Sequence, residues 1–198
     1  MFELNDRVIV LTGSTGVLGG SIAKSLAKEK SIVIVLGRNE ALLKSLTLEL
    51  NVFSESNYFV VDVLSKEALI KVKEKIIQKW GRVDALINAV GGNLPGAVVG
   101  EDQSLFDLAE DDFDEVVDLN LKGTLLPSLV FGEVMKDQGK GSIVNYSSMA
   151  VDRTITRVAG YSASKAAMEN FTRWMAVEMA LRYGDGVRVN AIAPGFFI

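Results

Sequence analysis

The sequence predicts an α/β fold: a single doubly wound parallel sheet with helices on both faces. Three observations carry that expectation. Short apolar runs recur along the 198 residues. Stretches with 3.6-residue apolar spacing separate them, and strands that alternate with amphipathic helices build a parallel sheet. No repeat, low-complexity segment or linker breaks the alternation, so residues 1–198 read as a single domain.

Composition narrows the chemistry. With 48% apolar and 23% charged residues and a net charge of −4, the chain suits a soluble globular domain. No basic block or aromatic-basic stripe offers a nucleic-acid surface. No apolar run approaches the roughly 20 residues of a membrane span. The first residues lack a basic-then-apolar leader, so cytoplasm is the expected compartment. Cysteine and histidine are absent. Disulfides, thiol nucleophiles, Cys/His zinc sites and histidine-based triads are thereby excluded within these residues. Acid/base work near neutral pH then falls to a carboxylate, a lysine or a tyrosine.

Arg7 to Thr12 reads as a buried first strand. Behind it, Gly13-Ser14-Thr15-Gly16-Val17-Leu18-Gly19 opens a helical pattern carrying Ile22, Ala23, Leu26 and Ala27. Strand, glycine turn and helix in that order are the context of a Rossmann-type dinucleotide site. Gly13 permits the tight turn, bare backbone near Gly16 admits a pyrophosphate, and Gly19 allows helix and strand to pack closely. Ile32 to Leu36 is the second strand, ending in Gly37-Arg38-Asn39 with no acid at its tip. An acid there would bind a ribose 2′-hydroxyl, and an arginine a 2′-phosphate. Arg38 therefore favours NADP(H); NAD(H) stays possible if Arg38 only stacks on adenine or is solvated. Glu40 to about Leu50 spaces its leucines as a helix.

Tyr58 to Val61 is the third strand, closed by Asp62-Val63. Asp62 either accepts from an adenine amino group or caps the next turn. Ser65 to Trp80 is amphipathic, with Ser65 as a loose N-cap. Asp84 to Val90 is the fourth strand, and Gly91-Gly92-Asn93-Leu94-Pro95 follows it where an open α/β sheet places its ligand crevice. Asn93 either touches a substrate or braces the turn. A long acidic loop runs to about Leu108, and Asp107 with Glu110 fits a capping box. The helix to about Lys136 holds Asn120, which needs a partner mid-helix, and Pro127, which should kink it. Ser142 to Tyr146 is the fifth strand, ending in Ser147-Ser148 at the same crevice. Ala159 to about Arg182 is a helix apolar almost all round, hence buried or paired with another subunit. Val187 to Ala193 is the sixth strand, closed by Pro194-Gly195.

Tyr161 and Lys165 stand four residues apart on that last helix, so they share a face. A free tyrosine ionises near pH 10 and is a poor acid/base at pH 7. An ammonium about 4 Å away would favour the phenolate by roughly 4 kcal/mol at an effective dielectric near 20. Taken alone, the pair is better read as a chance spacing on an amphipathic helix.

Seven motifs in order reverse that balance: Thr12–Gly19, Asp62-Val63, the turn at Asn88-Ala89-Val90-Gly91, Asn120, Ser148, Tyr161-Ser-Ala-Ser-Lys165 and Ile192–Gly195. Together they resemble the short-chain dehydrogenases/reductases over essentially the whole chain. Two positions depart from the family pattern: its middle glycine of the phosphate turn falls on Val17, and its Asn-Asn-Ala-Gly reads Asn88-Ala89-Val90-Gly91. Gly91 to Pro95, the run from Asp118 to Gly132 and Ala193-Pro-Gly-Phe-Phe197 resemble the mannonate oxidoreductase (fructuronate reductase) branch, with gluconate 5-dehydrogenase-like enzymes nearby. Members of that branch often carry an acid where Gly37 stands, against the charge argument for NADP(H).

The resemblance implies an NAD(P)-dependent oxidoreductase acting on a ketone or secondary alcohol. Asn120, Ser148, Tyr161 and Lys165 are its catalytic candidates. Gly13, Ser14, Thr15, Val17 and Leu18 would hold the cofactor from the first turn, and Arg38, Asp62 and Val63 from the next two strand ends. Asn88, Ala89, Gly91, Tyr161, Lys165, Pro194 and Gly195 would complete that site. No metal is expected. A sugar acid bearing a ketone is the implied substrate, with Asn93 and Arg157 as candidate contacts and Arg157 for the carboxylate. Arg157 could instead make a subunit contact. A non-catalytic NADP(H)-binding sensor, or a reductase of 3-oxoacyl thioesters or steroid ketones, stands as the alternative. The family also implies a homotetramer, and places its substrate-covering segment and last strand after Ile198.

Overall fold

The computed structural model describes residues 4–195. Residues 1–3 and 196–198, including the two phenylalanines of the branch resemblance, lie outside the described residues. The strands are β1 Val8–Thr12, β2 Ile32–Gly37, β3 Ser56–Val60, β4 Ala85–Asn88, β5 Gly141–Tyr146 and β6 Val187–Ile192. They form one parallel sheet in the order β3-β2-β1-β4-β5-β6. The order reverses between β1 and β4, and an open α/β sheet places its ligand crevice outside the carboxyl ends of the strands at such a point.

Helices α1 Val17–Lys28, α2 Glu40–Leu50, α3 Lys66–Trp80, α4 Glu110–Val117, α5 Gly123–Gln138 and α6 Ala159–Tyr183 connect the strands. Two cores separate the layers. One unites Ala23, Ala27, Leu43, Leu46 and Leu50 of α1 and α2 with Leu11, Val33 and Val35. The other sets Leu69, Val72 and Ile76 of α3, Phe131 and Met135 of α5 and Met175 and Met179 of α6 against Val10, Ile34, Leu86 and Ile143. Alternate residues of a strand point to opposite faces, so β1 and β2 are buried on both.

Local choices match the elements, with three adjustments. Gly19 cannot carry a side chain: a Cβ there would lie 2.1 Å from the Gly13 carbonyl oxygen. Asn39 caps α2, accepting from the Leu42 N–H at 3.1 Å, and Ser65 caps α3, accepting from Ala68 at 3.3 Å. The expected capping box does not form: Asp107 sits in a short 3₁₀ turn, and Ala109 precedes α4 without a side-chain cap. The helix expected to run unbroken to about Lys136 is also interrupted. Pro127 lies inside α5, and the irregularity is a π turn over Asp118–Lys122, one turn earlier. There the Gly123 N–H reaches the Asp118 carbonyl, and the widened turn precedes the residue whose carbonyl the proline ring would crowd. Finally, β3 and β4 are shifted or shortened relative to the apolar runs, because Val61 leaves the ladder and Ala89-Val90 already belongs to the turn.

Candidate active site

The glycine turn after β1 and the turn after β4 meet at the reversal point. Gly13 has φ +66°, and a Cβ on it would lie 2.4 Å from the Ala89 carbonyl group, so the two turns touch backbone to backbone. Beside that contact lies a cavity of about 250 Å³ lined by Gly13, Thr15, Gly16, Arg38, Asp62 and Gly91, with Val63 and Ala89 on its wall. An elongated anionic ligand fits this cradle: bare backbone and the α1 N-terminus at one end, a guanidinium at the other. Arg38 is exposed and has no ion pair among the described residues. Asp62 caps the turn after β3, accepting from the Leu64 N–H at 2.9 Å.

A second cavity, of about 190 Å³, holds Ser148 and Tyr161 with Leu18, Met149, Ile155, Pro194 and Gly195. Leu18 and Pro194-Gly195 thus join the glycine turn and the end of β6 to the candidate catalytic pair. Ser148 ends the chain segment leaving β5, and its oxygen accepts from the Ala150 N–H at 3.1 Å. That bond leaves the hydroxyl hydrogen available to a ligand oxygen. Met149 and Ile155 were not singled out by the sequence; they are ordinary apolar residues in a loop, with no periodicity to mark them.

Lys165 is 4% exposed, and its Nζ donates to the Tyr146 carbonyl oxygen at 2.7 Å. Burial pushes its pKa down to about 8, so it is still mainly charged at neutral pH. The ammonium lies 5.7 Å from the centre of the Tyr161 ring. Asn120 is fully buried in the π turn. Its Nδ2 donates to the Gly92 and Val116 carbonyls at 2.8 Å each, and its Oδ1 accepts from the Gly92 N–H at 3.0 Å. The partner that a mid-helix asparagine needs is therefore the turn after β4. A Cβ on Gly91 would lie 2.6 Å from Asn120 Oδ1 and 3.0 Å from Lys165 Nζ, so Gly91, Asn120 and Lys165 converge on one point.

Several expected contacts sit elsewhere. Ser14 is fully buried, and its hydroxyl is spent on the Leu36 carbonyl at 3.3 Å, so its side chain takes no part in the cradle. Val17, where the family places a glycine, is 91% exposed and lines neither cavity. Asn88 lies beneath the floor, donating to Ser128 Oγ and Asn145 Oδ1 at 2.9 Å each, which ties β4 to β5 and α5. Asn93 lines neither cavity, and its Oδ1 is buried without a partner. Arg157 does not present a free guanidinium to the Tyr161 cavity. Its Nε donates to the Val99 carbonyl at 2.6 Å, and its Nη1 lies 3.2 Å from Glu101.

No helix among the described residues is long and apolar enough to cross a membrane, and no cluster of three acidic residues there could hold a metal.

Comparison with known proteins agrees with this architecture. The family model for short chain dehydrogenases matches residues 7–198. The uncharacterized oxidoreductase UxuB of Bacillus subtilis is 39% identical over 99% of this chain and 73% of its own length. A structure from Haemophilus influenza, provisionally assigned as a D-mannonate oxidoreductase and holding NAD, superposes with a TM-score of 0.91 at 35% identity, covering 99% of this chain and 73% of that one. A variant of actinorhodin polyketide ketoreductase with NADPH superposes with a TM-score of 0.86 at 30% identity, covering 99% of this chain and 72% of that one. From the turn after β1 to the tyrosine and lysine of α6, the chain belongs to the short-chain dehydrogenase family, oxidoreductases that act on alcohol and ketone groups with NAD(P).

Proposed function

We propose that this protein interconverts a ketone and a secondary alcohol on a sugar acid of the fructuronate/mannonate or keto-gluconate type, with NADP(H) favoured as cofactor. The observation that carries the reaction is the shared cavity of Ser148 and Tyr161, with Lys165 and Asn120 converging at Gly91 behind it. When bound, the nicotinamide supplies or accepts the hydride at the substrate carbon. Ser148 donates a hydrogen bond to the carbonyl oxygen, where charge builds as the hydride arrives. Tyr161 gives its proton to that oxygen in reduction and takes it back in oxidation. The Lys165 ammonium steadies the negative charge left on the phenol oxygen. Asn120, by the family resemblance, positions a water in a relay to Lys165, through which the Tyr161 phenolate regains its proton from solvent.

Two features support NADP(H): Arg38 lies at the rim of the cradle without an ionic partner among the described residues, and Gly37 offers no carboxylate to a 2′-hydroxyl. The sugar-acid reading is supported by the branch resemblance and by the provisional name of the Haemophilus structure. We also propose a cytoplasmic homotetramer. Leu129, Trp174, Val177, Leu181 and Tyr183 are exposed along α5 and α6, where a second copy could cover them.

The test is a panel of sugar-derived keto acids, 3-oxoacyl thioesters and steroid ketones, assayed at the reduced-nicotinamide absorbance with NADPH and with NADH. Turnover of keto acids, faster with NADPH, is the expected result. Turnover confined to thioesters or steroids would replace the substrate class. Tight cofactor binding without turnover of any carbonyl would leave a nucleotide sensor instead.

A further inference from the structure

Arg157 stands out because its guanidinium is engaged by Val99 and Glu101. Its backbone is left-handed, with φ +70°, a region that a non-glycine residue enters only when its surroundings hold it there. Those surroundings are one short segment of the loop after β4. The Val99 N–H donates to the Arg157 carbonyl at 2.9 Å, and the Arg157 Nε–H donates back to the Val99 carbonyl at 2.6 Å. Glu101 adds an ion pair to Nη1 at 3.2 Å. Val99 itself is buried, so the clasp closes on an anchored residue.

The clasp joins two stretches that both reach the site. Two residues before Arg157, Ile155 lines the cavity of Ser148 and Tyr161. Directly after it comes Val158, whose carbonyl accepts from the Ser162 N–H in the first turn of α6. On the other side, the chain runs from Val99 back to Gly92, which Asn120 grips through both its N–H and its carbonyl. Beyond Val99, the 100–107 stretch is held chiefly by bonds within itself, such as Gln103 to Gly100 and to Asp107, and leaves Phe106 93% exposed.

We propose that Arg157 is a positioning residue that pins the loop after β4 to the segment before α6 and so fixes the width of the substrate cavity. The proposal rests on Ser148 and Tyr161 being the reacting end. With the clasp intact, Ile155, which lines the cavity of Ser148 and Tyr161, is anchored two residues away through Val99; with it broken, that wall yields and the carbonyl compound is held less firmly. Neither Val99 nor Glu101, the partners of Arg157 in the clasp, lines the cofactor cradle.

The experiment compares wild type with Arg157→Gly and Arg157→Lys. Glycine accepts the left-handed backbone, keeps the main-chain half of the clasp and loses the guanidinium; lysine keeps the charge but loses the Nε donor. For Arg157→Gly, KM for the carbonyl substrate should rise by about tenfold with kcat changed less than about threefold, equally for acidic and neutral ketones. Cofactor affinity should be unchanged, and proteolysis within residues 100–107 should speed up. Arg157→Lys should fall between. A KM increase confined to anionic substrates would mean that Arg157 binds a carboxylate and would overturn the proposal, as would an unchanged KM with both variants. If Arg157→Gly does not fold, Arg157→Lys and the hydrogen exchange of the Val99 amide in wild type decide: a rapidly exchanging amide refutes the clasp. Loss of all turnover on Tyr161→Phe, or its survival, tests the reacting end separately.

Discussion

The two halves of the sheet are built differently. In β1 and β2 every core position is buried, and helices cover both faces. In β5 and β6 burial alternates: Ile143 and Val189 are buried, while Val144 is partly open and Arg188 and Asn190 are exposed. No helix among the described residues packs on that second face; instead a groove of about 340 Å³ runs over Ile9, Ile87 and Val144. The first half holds its ligand cradle largely with backbone, which needs rigid strands beneath it. The second half contributes side chains, Ser148, Tyr161 and Lys165, and fixes them from one side through α5 and α6. Rigidity and chemistry are thus assigned to different strands, with the site on the seam.

The largest test of that division is Tyr161→Phe. Turnover should fall by about a thousandfold or more while cofactor affinity stays near wild type; a parallel loss of cofactor binding would show that the halves are not separable. Next comes Ser148→Ala, expected to lower kcat by about a hundredfold or more through loss of one donor to the developing oxyanion. Retained kcat would remove Ser148 from the reaction. On the cradle side, Arg38→Asp should shift the preference for NADPH over NADH by about tenfold or more, with kcat for the better cofactor kept. An unmoved preference would relocate the 2′-phosphate contact.

Stability separates the halves as well. Lys165 has a folded pKa near 8 against an ordinary value of 10.5, so the unfolded chain binds more protons between those limits. The cost of burying its charge is fully present below about pH 8 and fades as the pH rises, so wild-type stability should climb from about pH 8 to about pH 10 relative to Lys165→Met. Parallel denaturation profiles for the two proteins would refute it. The smallest effect is the most direct comparison. Val33→Ala in β2 should cost about 2 kcal/mol, and Val144→Ala in β5 less than about 1, because only the first opens a sealed void. Equal losses would mean that the second face is covered in solution.

Much of this division was legible in the sequence. Ile32 to Leu36 is an unbroken apolar run and is buried on both faces; Val187-Arg188-Val189-Asn190 alternates and is buried on one. Tyr161 and Lys165 were legible because spacing on a helix fixes their common face. Asn120 was legible as a residue in need of a partner and, through the resemblance, as a catalytic candidate, but its π turn was not, since nothing in a helical pattern reveals one. The partners of Arg157 were hidden for a different reason. A guanidinium before a catalytic helix suits a substrate acid or a backbone carbonyl equally, and the carbonyl that claims it lies 58 residues away. Ser14 and Asn88 belong to recognisable motifs, yet their side chains face inward, because a motif fixes the path of the chain and not the direction of every group on it.

The wide turn over Asp118–Lys122 carries a cost that selection for robustness alone would remove. Excising a single residue there would restore regular i→i−4 pairing and give a straighter rod. It would also rotate Asn120 by about 100° relative to everything that follows, since each residue of a helix advances by that angle. A thermostabilising campaign blind to function would reward that deletion, and the sturdier protein it yielded would have surrendered its grip on Gly92.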